Sequence, residues 1–106
     1  MSMYNPAHPG EILKELVIEP LGLSIKEMAY HLGINRETLS KILSERSAIT
    51  PEIALRLEMT LGKPNAAHWL RLQNAFDLWQ ARQHSTDIHV IPFDLGNMGH
   101  MLPATS

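Results

Sequence analysis

Residues 24–43, S-I-K-E-M-A-Y-H-L-G-I-N-R-E-T-L-S-K-I-L, constrain the fold more than any other part of the chain. Ser24 has the hydroxyl of a helix N-cap, and Glu27 three residues later completes a capping-box pattern. Met28, Ala29 and Leu32 follow at helical spacing as an inward face. Gly33 then supplies a left-handed C-cap, where a side chain would be penalised. Asn35 caps the next helix, whose apolar positions are Leu39, Ile42 and Leu43. Two short helices joined by so tight a turn must touch. The small Ala29 permits that approach, and Ile34 and Leu39 fill the angle.

In the second of these helices, Arg36, Glu37, Ser40 and Lys41 stand away from the apolar positions, with Thr38 nearer the core edge. This is the layout of a helix-turn-helix, whose second helix enters the DNA major groove. Arg36 has the fork for a bidentate contact with guanine, and Thr38 or Ser40 can meet a thymine methyl or a phosphate. Ser24, Lys26, Asn35 and the amide end of the second helix suit phosphate. Arg46 and Ser47, in the loop that follows, reach the DNA backbone. Glu37 and Lys41 also form an i,i+4 pair in the favourable order, which equally stabilises a solvated helix. The expected DNA-reading set is therefore Ser24, Lys26, Asn35, Arg36, Glu37, Thr38, Ser40, Lys41, Arg46 and Ser47.

The flanking sequence predicts three more helices. Residues 1–8 read as a flexible arm. Pro9 opens a helix with Glu11 in its first turn, and Ile12, Leu13, Leu16 and Val17 form its apolar face. Pro20 and Gly22 end it, with Leu21 and Leu23 packing beneath the next helix. Thr50, Pro51 and Glu52 are a cap, a first-position proline and an early acid. Ile53, Ala54, Leu57 and Leu61 line that helix until Gly62 and Pro64. Asn65 caps a fifth helix with Trp69, Leu72, Phe76 and Trp79 on one core stripe, fading near Gln83. Leu70, Ala75, Leu78 and Ala81 lie partly off the stripe. A helix apolar on two sides buries both, so this second side predicts a dimer or partner contact. Ile88, His89, Val90 and Ile91 read as a short strand within residues 88–93, kept to an edge or end by Pro92. The remaining tail has no period and reads as mobile. The expected organisation is an all-α, five-helix domain over residues 9–83, followed by an extension over residues 84–106.

Composition limits the function. With 106 residues, one domain is the default. The chain has no cysteine, which rules out disulfides and thiolate metal sites and suits a reducing compartment. The net charge is −2, an acidic balance for a DNA binder. Residues 24–46 hold four cations (Lys26, Arg36, Lys41, Arg46) against three anions (Glu27, Glu37, Glu45), a balance of +1 that leaves −3 elsewhere. So weak a local charge calls for two copies on one site or a partner that adds cations, and the acidic remainder suits a basic protein.

None of the six histidines has a strong ligand spacing. His84, Asp87 and His89 converge only if the tail folds suitably, so neither a metal nor a cofactor is expected. Glu11, Glu15 and Glu19 make a solvated row of acids rather than a catalytic pair, and no nucleophile or phosphate-loop motif is present. An enzyme is not expected. The N-terminus lacks the basic and apolar regions of a signal peptide, and no apolar run approaches the ~20 residues that span a bilayer. The expected location is the cytoplasm.

Residues 8–82 resemble the HigA/VapI group of antitoxins within the XRE/Cro/C1-type helix-turn-helix proteins. The matching pieces are H-P-G-E-I-L, E-P-L-G-L-S, A-Y-H-L-G-I-N-R-E-T-L-S-K-I-L, I-T-P-E-I-A-L-R-L and W-L-R-L-Q-N-A-F-D-L-W, in that order. The resemblance implies a lambda-repressor-like five-helix fold that dimerises and represses its own operon. It also implies tight binding to a HigB-type toxin, a small basic mRNA-cleaving ribonuclease. By position, the family's DNA-contacting region falls on residues 24–26 and 35–41. Ile25 stands where glutamine is common in the wider group, which removes one hydrogen bond to DNA. A stand-alone repressor without a toxin, or an interaction module that has lost DNA binding, would share the same core.

Overall fold

The computed structural model describes residues 5–94, and its elements among these are all helical. Helix α1 spans residues 9–21, α2 Ile25–Leu32, α3 Arg36–Leu43, α4 Pro51–Leu61 and α5 Ala66–Gln83, with a 3₁₀ turn at Ser85–Asp87. The all-α, five-helix expectation therefore holds.

The caps form where the sequence places them. Ser24 and Glu27 make a reciprocal capping box, Ser24 Oγ accepting from the Glu27 N–H (3.0 Å) and Glu27 Oε1 from the Ser24 N–H (2.8 Å). Asn35 Oδ1 caps α3 through the Thr38 N–H (2.7 Å), Thr50 Oγ1 caps α4 through Ile53 (3.3 Å), and Asn65 Oδ1 caps α5 through His68 (2.9 Å). Each satisfies one of the orphan amides of a helix start, worth about 1 kcal/mol. Gly33, at φ 71°, closes α2 in the left-handed region.

Helix α1 departs from the expected pattern. Its middle, Lys14–Ile18, is π-helical, and the Glu19 N–H donates to the Lys14 carbonyl, five residues back. The helix continues through Pro20, which has no N–H to give, and ends at Gly22 (φ 68°). The wider turn moves the inward face from the i+3/i+4 positions to i+5. Leu13 and Ile18 are buried, whereas Leu16 is 70% exposed, and Leu21 is exposed rather than packed beneath α2.

The core is one cluster contributed by every helix: Leu13, Ile18, Met28, Ala29, Leu32, Leu39, Ile42, Ile49, Ile53, Ala54, Leu57 and Trp69. Full burial of side chains such as Leu39 or Leu57 contributes about 1.5–3 kcal/mol each. Helix α1 packs on α3 and α5, α2 on α3 and α4, and α4 on α5. Trp69 is wholly buried and Leu72 lies against the cluster, but Phe76 and Trp79 are half-buried, and Leu78 is exposed.

Two expectations for the ends need correction. Residues 5–8 are not a loose arm, because Pro6 and His8 are buried. The His8 Nδ1 accepts from the Gly10 N–H (2.9 Å), capping α1, and its ring meets Phe76 edge-on at 4.8 Å. Residues 88–93 form no strand. They run irregularly with their side chains exposed, Ile91 at 95%. A strand needs an edge to pair with, and the described helical domain offers none. The first four residues and the tail from residue 95 lie outside the described residues.

Candidate nucleic-acid interface

Of the ten residues expected to contact DNA, six lie on α2 and α3, Ser24 and Asn35 cap those helices, and Arg46 and Ser47 follow α3. On α3, Leu39 and Ile42 are buried and anchor the helix, while Arg36, Glu37 and Lys41 are exposed. Positions 36, 37, 40 and 41 lie one turn apart in pairs and so share an edge. Thr38 is half-buried, as expected. Ser40 is also half-buried and lines a shallow depression with Ile18, Ile25 and Leu43, closer to α1 than to the outer edge. Ile25 thus contributes apolar surface to this depression.

The two capping residues have limited capacity left. Ser24 Oγ and Asn35 Oδ1 are occupied by the amides they cap, and the Ser24 hydroxyl also interacts with the Glu27 carboxylate, so the Asn35 NH₂ group is what remains for a phosphate. Lys26 is exposed in the first turn of α2. Beyond α3, the Arg46 Nε donates to Ser44 Oγ (2.9 Å), and the amides of Arg46 and Ser47 both return to the Lys41 carbonyl (2.8 and 3.1 Å). The loop is therefore folded against the C-terminal end of α3, with Arg46 exposed and Ser47 half-buried.

Two ionisable groups around this unit are shifted. Glu27 is held below the usual carboxylate range by its hydrogen bonds with the Ser24 amide and hydroxyl. His8 is held below the usual imidazole range by burial, against the opposing pull of the Glu45, Asp77 and Glu11 carboxylates and a hydrogen bond to the Ser47 backbone.

Three supports escaped the sequence reading. The Arg56 Nη1 donates to the carbonyls of Leu32 (3.0 Å) and Gly33 (3.2 Å) at the turn between α2 and α3. The buried Gln73 accepts from the Ile49 N–H (2.7 Å) and donates to Asp77 (2.9 Å). Glu58 accepts from the Ala66 N–H (2.7 Å) at the start of α5. Only the i,i+4 relation of Arg56 to Glu52 carried a local signal. Among the described residues no three metal-ligating side chains converge, His84, Asp87 and His89 included, and no helix is long and apolar enough to cross a membrane.

Comparison with known proteins agrees with this geometry. Residues 13–64 match the Helix-turn-helix family. The chain is 44% identical over 85 residues to virulence-associated protein A of Dichelobacter nodosus, covering 80% of this chain and 83% of that one. It is 35% identical over 78 residues to the antitoxin HigA-1 of Vibrio cholerae, covering 74% and 72%. Among solved structures, the antitoxin GraA in complex with its operator superimposes with a TM-score of 0.73 at 35% identity, over 88% of this chain and 98% of that one. The Pseudomonas aeruginosa antitoxin HigA with the higBA promoter gives 0.70 at 27% identity, over 82% and 99%. Capped helix pair, five-helix core and these likenesses coincide over the same residues: the chain belongs to the HigA/VapI group of antitoxins within the XRE-type helix-turn-helix family.

Proposed function

We propose that this protein is a DNA-binding antitoxin that represses its own operon as a homodimer and neutralises a HigB-type ribonuclease toxin in the cytoplasm. The observation that carries the DNA-binding part is α3 itself. It is anchored by Leu39 and Ile42, capped by Asn35, and presents Arg36, Glu37 and Lys41 to solvent. Operator or promoter DNA bound to GraA and to the Pseudomonas HigA supports the same use of the fold here. In this reading Arg36 addresses a base edge. Thr38 and Ser40 meet a thymine methyl or a phosphate, and Ser24, Lys26, Asn35, Lys41, Arg46 and Ser47 hold the DNA backbone. Glu37 limits which bases the edge accepts, since a carboxylate takes a hydrogen bond only from a donor such as the cytosine amino group.

The acidic balance outside the helix pair supports a basic partner and two-copy binding. The exposed side of α5, with Ala75, Leu78 and Ala81, is the surface this reading assigns to the second copy. A two-fold pair predicts a palindromic operator with half-sites about one helical turn, or a multiple, apart. The test is a binding titration of the purified chain on its own promoter and on an unrelated duplex of equal length at physiological salt. A two-to-one complex that prefers the promoter and protects symmetric half-sites is expected. Equal binding to both duplexes would remove the repressor reading.

A further inference from the structure

The turn that joins α2 to α3 is held from behind by α4. A helix end leaves its last carbonyls without intrahelical donors. Here two side chains one turn apart on α4 face that end. The Arg56 Nη1 serves Leu32 and Gly33, and Thr60 Oγ1 donates to His31 at 3.4 Å. The rest of the guanidinium is also fixed, since its Nε and Nη2 both donate to Glu52 Oε2 (3.0 and 2.7 Å). Gly33 leaves the space this requires, because a Cβ there would stand 2.9 Å from Nη1.

We propose that Arg56 is a positioning residue for DNA reading, which sets the direction in which α3 leaves the turn by clamping the Leu32 and Gly33 carbonyls. This rests on the DNA-binding reading above. Between the clamped carbonyls and Arg36 there are only Ile34 and Asn35, so a small rotation at Gly33 swings the whole outer edge of α3. Arginine suits the task because its planar fork can hold a carboxylate on one side and carbonyls on the other. A lysine at this position keeps the charge but is a single point donor. With Glu52 paired to it, Arg56 adds little net charge toward a phosphate.

The experiment compares wild type, R56K and E52Q by anisotropy on the protein's own promoter and on an unrelated duplex, across a salt series and well below each melting temperature. R56K is expected to lose about tenfold in promoter affinity, the scale of one hydrogen bond to a charged group. Its affinity for the unrelated duplex and its salt slope should stay as in wild type, and the Gly33 and Ile34 amide resonances should move. E52Q leaves the carbonyl contacts in place but loosens the fork and frees the Arg56 charge, which raises affinity for both duplexes; its preference for the promoter over the unrelated duplex is expected to fall by about threefold, and it carries the test if R56K does not fold. A lower melting temperature in both variants with unchanged preference for the promoter would overturn the proposal in favour of plain stabilisation. A salt slope reduced by about one in a further variant, R56Q, which removes the charge that R56K keeps, would overturn it in favour of direct phosphate contact. If wild type itself shows no preference for the promoter, the DNA-binding reading fails, and that is visible before any variant is compared.

Discussion

Gly10 in α1 lies directly against the backbone carbonyl of Ile42, near the end of α3, so closely that a Cβ on residue 10 would overlap the Ile42 oxygen. The first helix thus braces the helix proposed to enter the groove, main chain against main chain. Gly10→Ala must push the two apart. An overpacked, buried backbone contact of this kind costs about 1–3 kcal/mol, and we expect that loss in urea unfolding, together with weaker promoter binding.

His8 makes stability depend on pH. Its folded-state pKa is lowered chiefly by burial, so the native state holds fewer protons than the unfolded chain. The stabilising effect of neutral His8 is fully present above the unfolded value near 6.5 and is lost as pH falls from there through the lower folded value. Protonation would also silence Nδ1 as acceptor for the Gly10 N–H. The neighbouring Glu45, Asp77 and Glu11 carboxylates moderate the effect. In His8→Asn, which keeps a capping oxygen but does not titrate, the fall in stability between pH 7.5 and 5 is expected to be shallower than in wild type. Chemical denaturation at a series of pH values measures both slopes.

Gln73→Leu removes the acceptor from the buried Ile49 amide and the donor to Asp77. An amide left unpaired in the interior costs about 1–3 kcal/mol, which thermal or urea unfolding would register. Hydrogen exchange at Ile49 should quicken in the variant.

Arg36→Ala is expected to weaken promoter binding by about 1–3 kcal/mol and to relax selectivity at one base pair, with no loss of stability because Arg36 is exposed. A panel of single-base operator variants would locate that position. Unchanged affinity would remove Arg36 from the base-reading set.

What could be read in the sequence was what is local. The Ser24–Glu27 box, the Asn35 and Thr50 caps and the turn at Gly33 each involve residues within a few positions of one another, and each formed as read. Arg56 reaches Leu32 across 24 positions, Gln73 reaches Ile49 across 24, and Gly10 meets Ile42 only after the core assembles. No periodicity encodes such meetings. Leu16 faces solvent because a 3.6-residue period does not run through a π-helical stretch, where the next buried position is Ile18. Residues 88–93 have the composition of a strand, but composition cannot provide the neighbouring strand. On the proposed interface, Arg36, Glu37 and Lys41 stand exposed, whereas Ser40 lines the depression beside Ile25, because the packing of α1 decides which part of the α3 edge stays open.

The most direct test of the account is co-expression with the small open reading frame beside this gene, scoring growth and co-purification. The account predicts that the neighbour alone arrests growth, and that this protein restores growth and purifies in complex with it. A harmless neighbour, or one that never co-purifies, would contradict the antitoxin assignment and leave a stand-alone repressor.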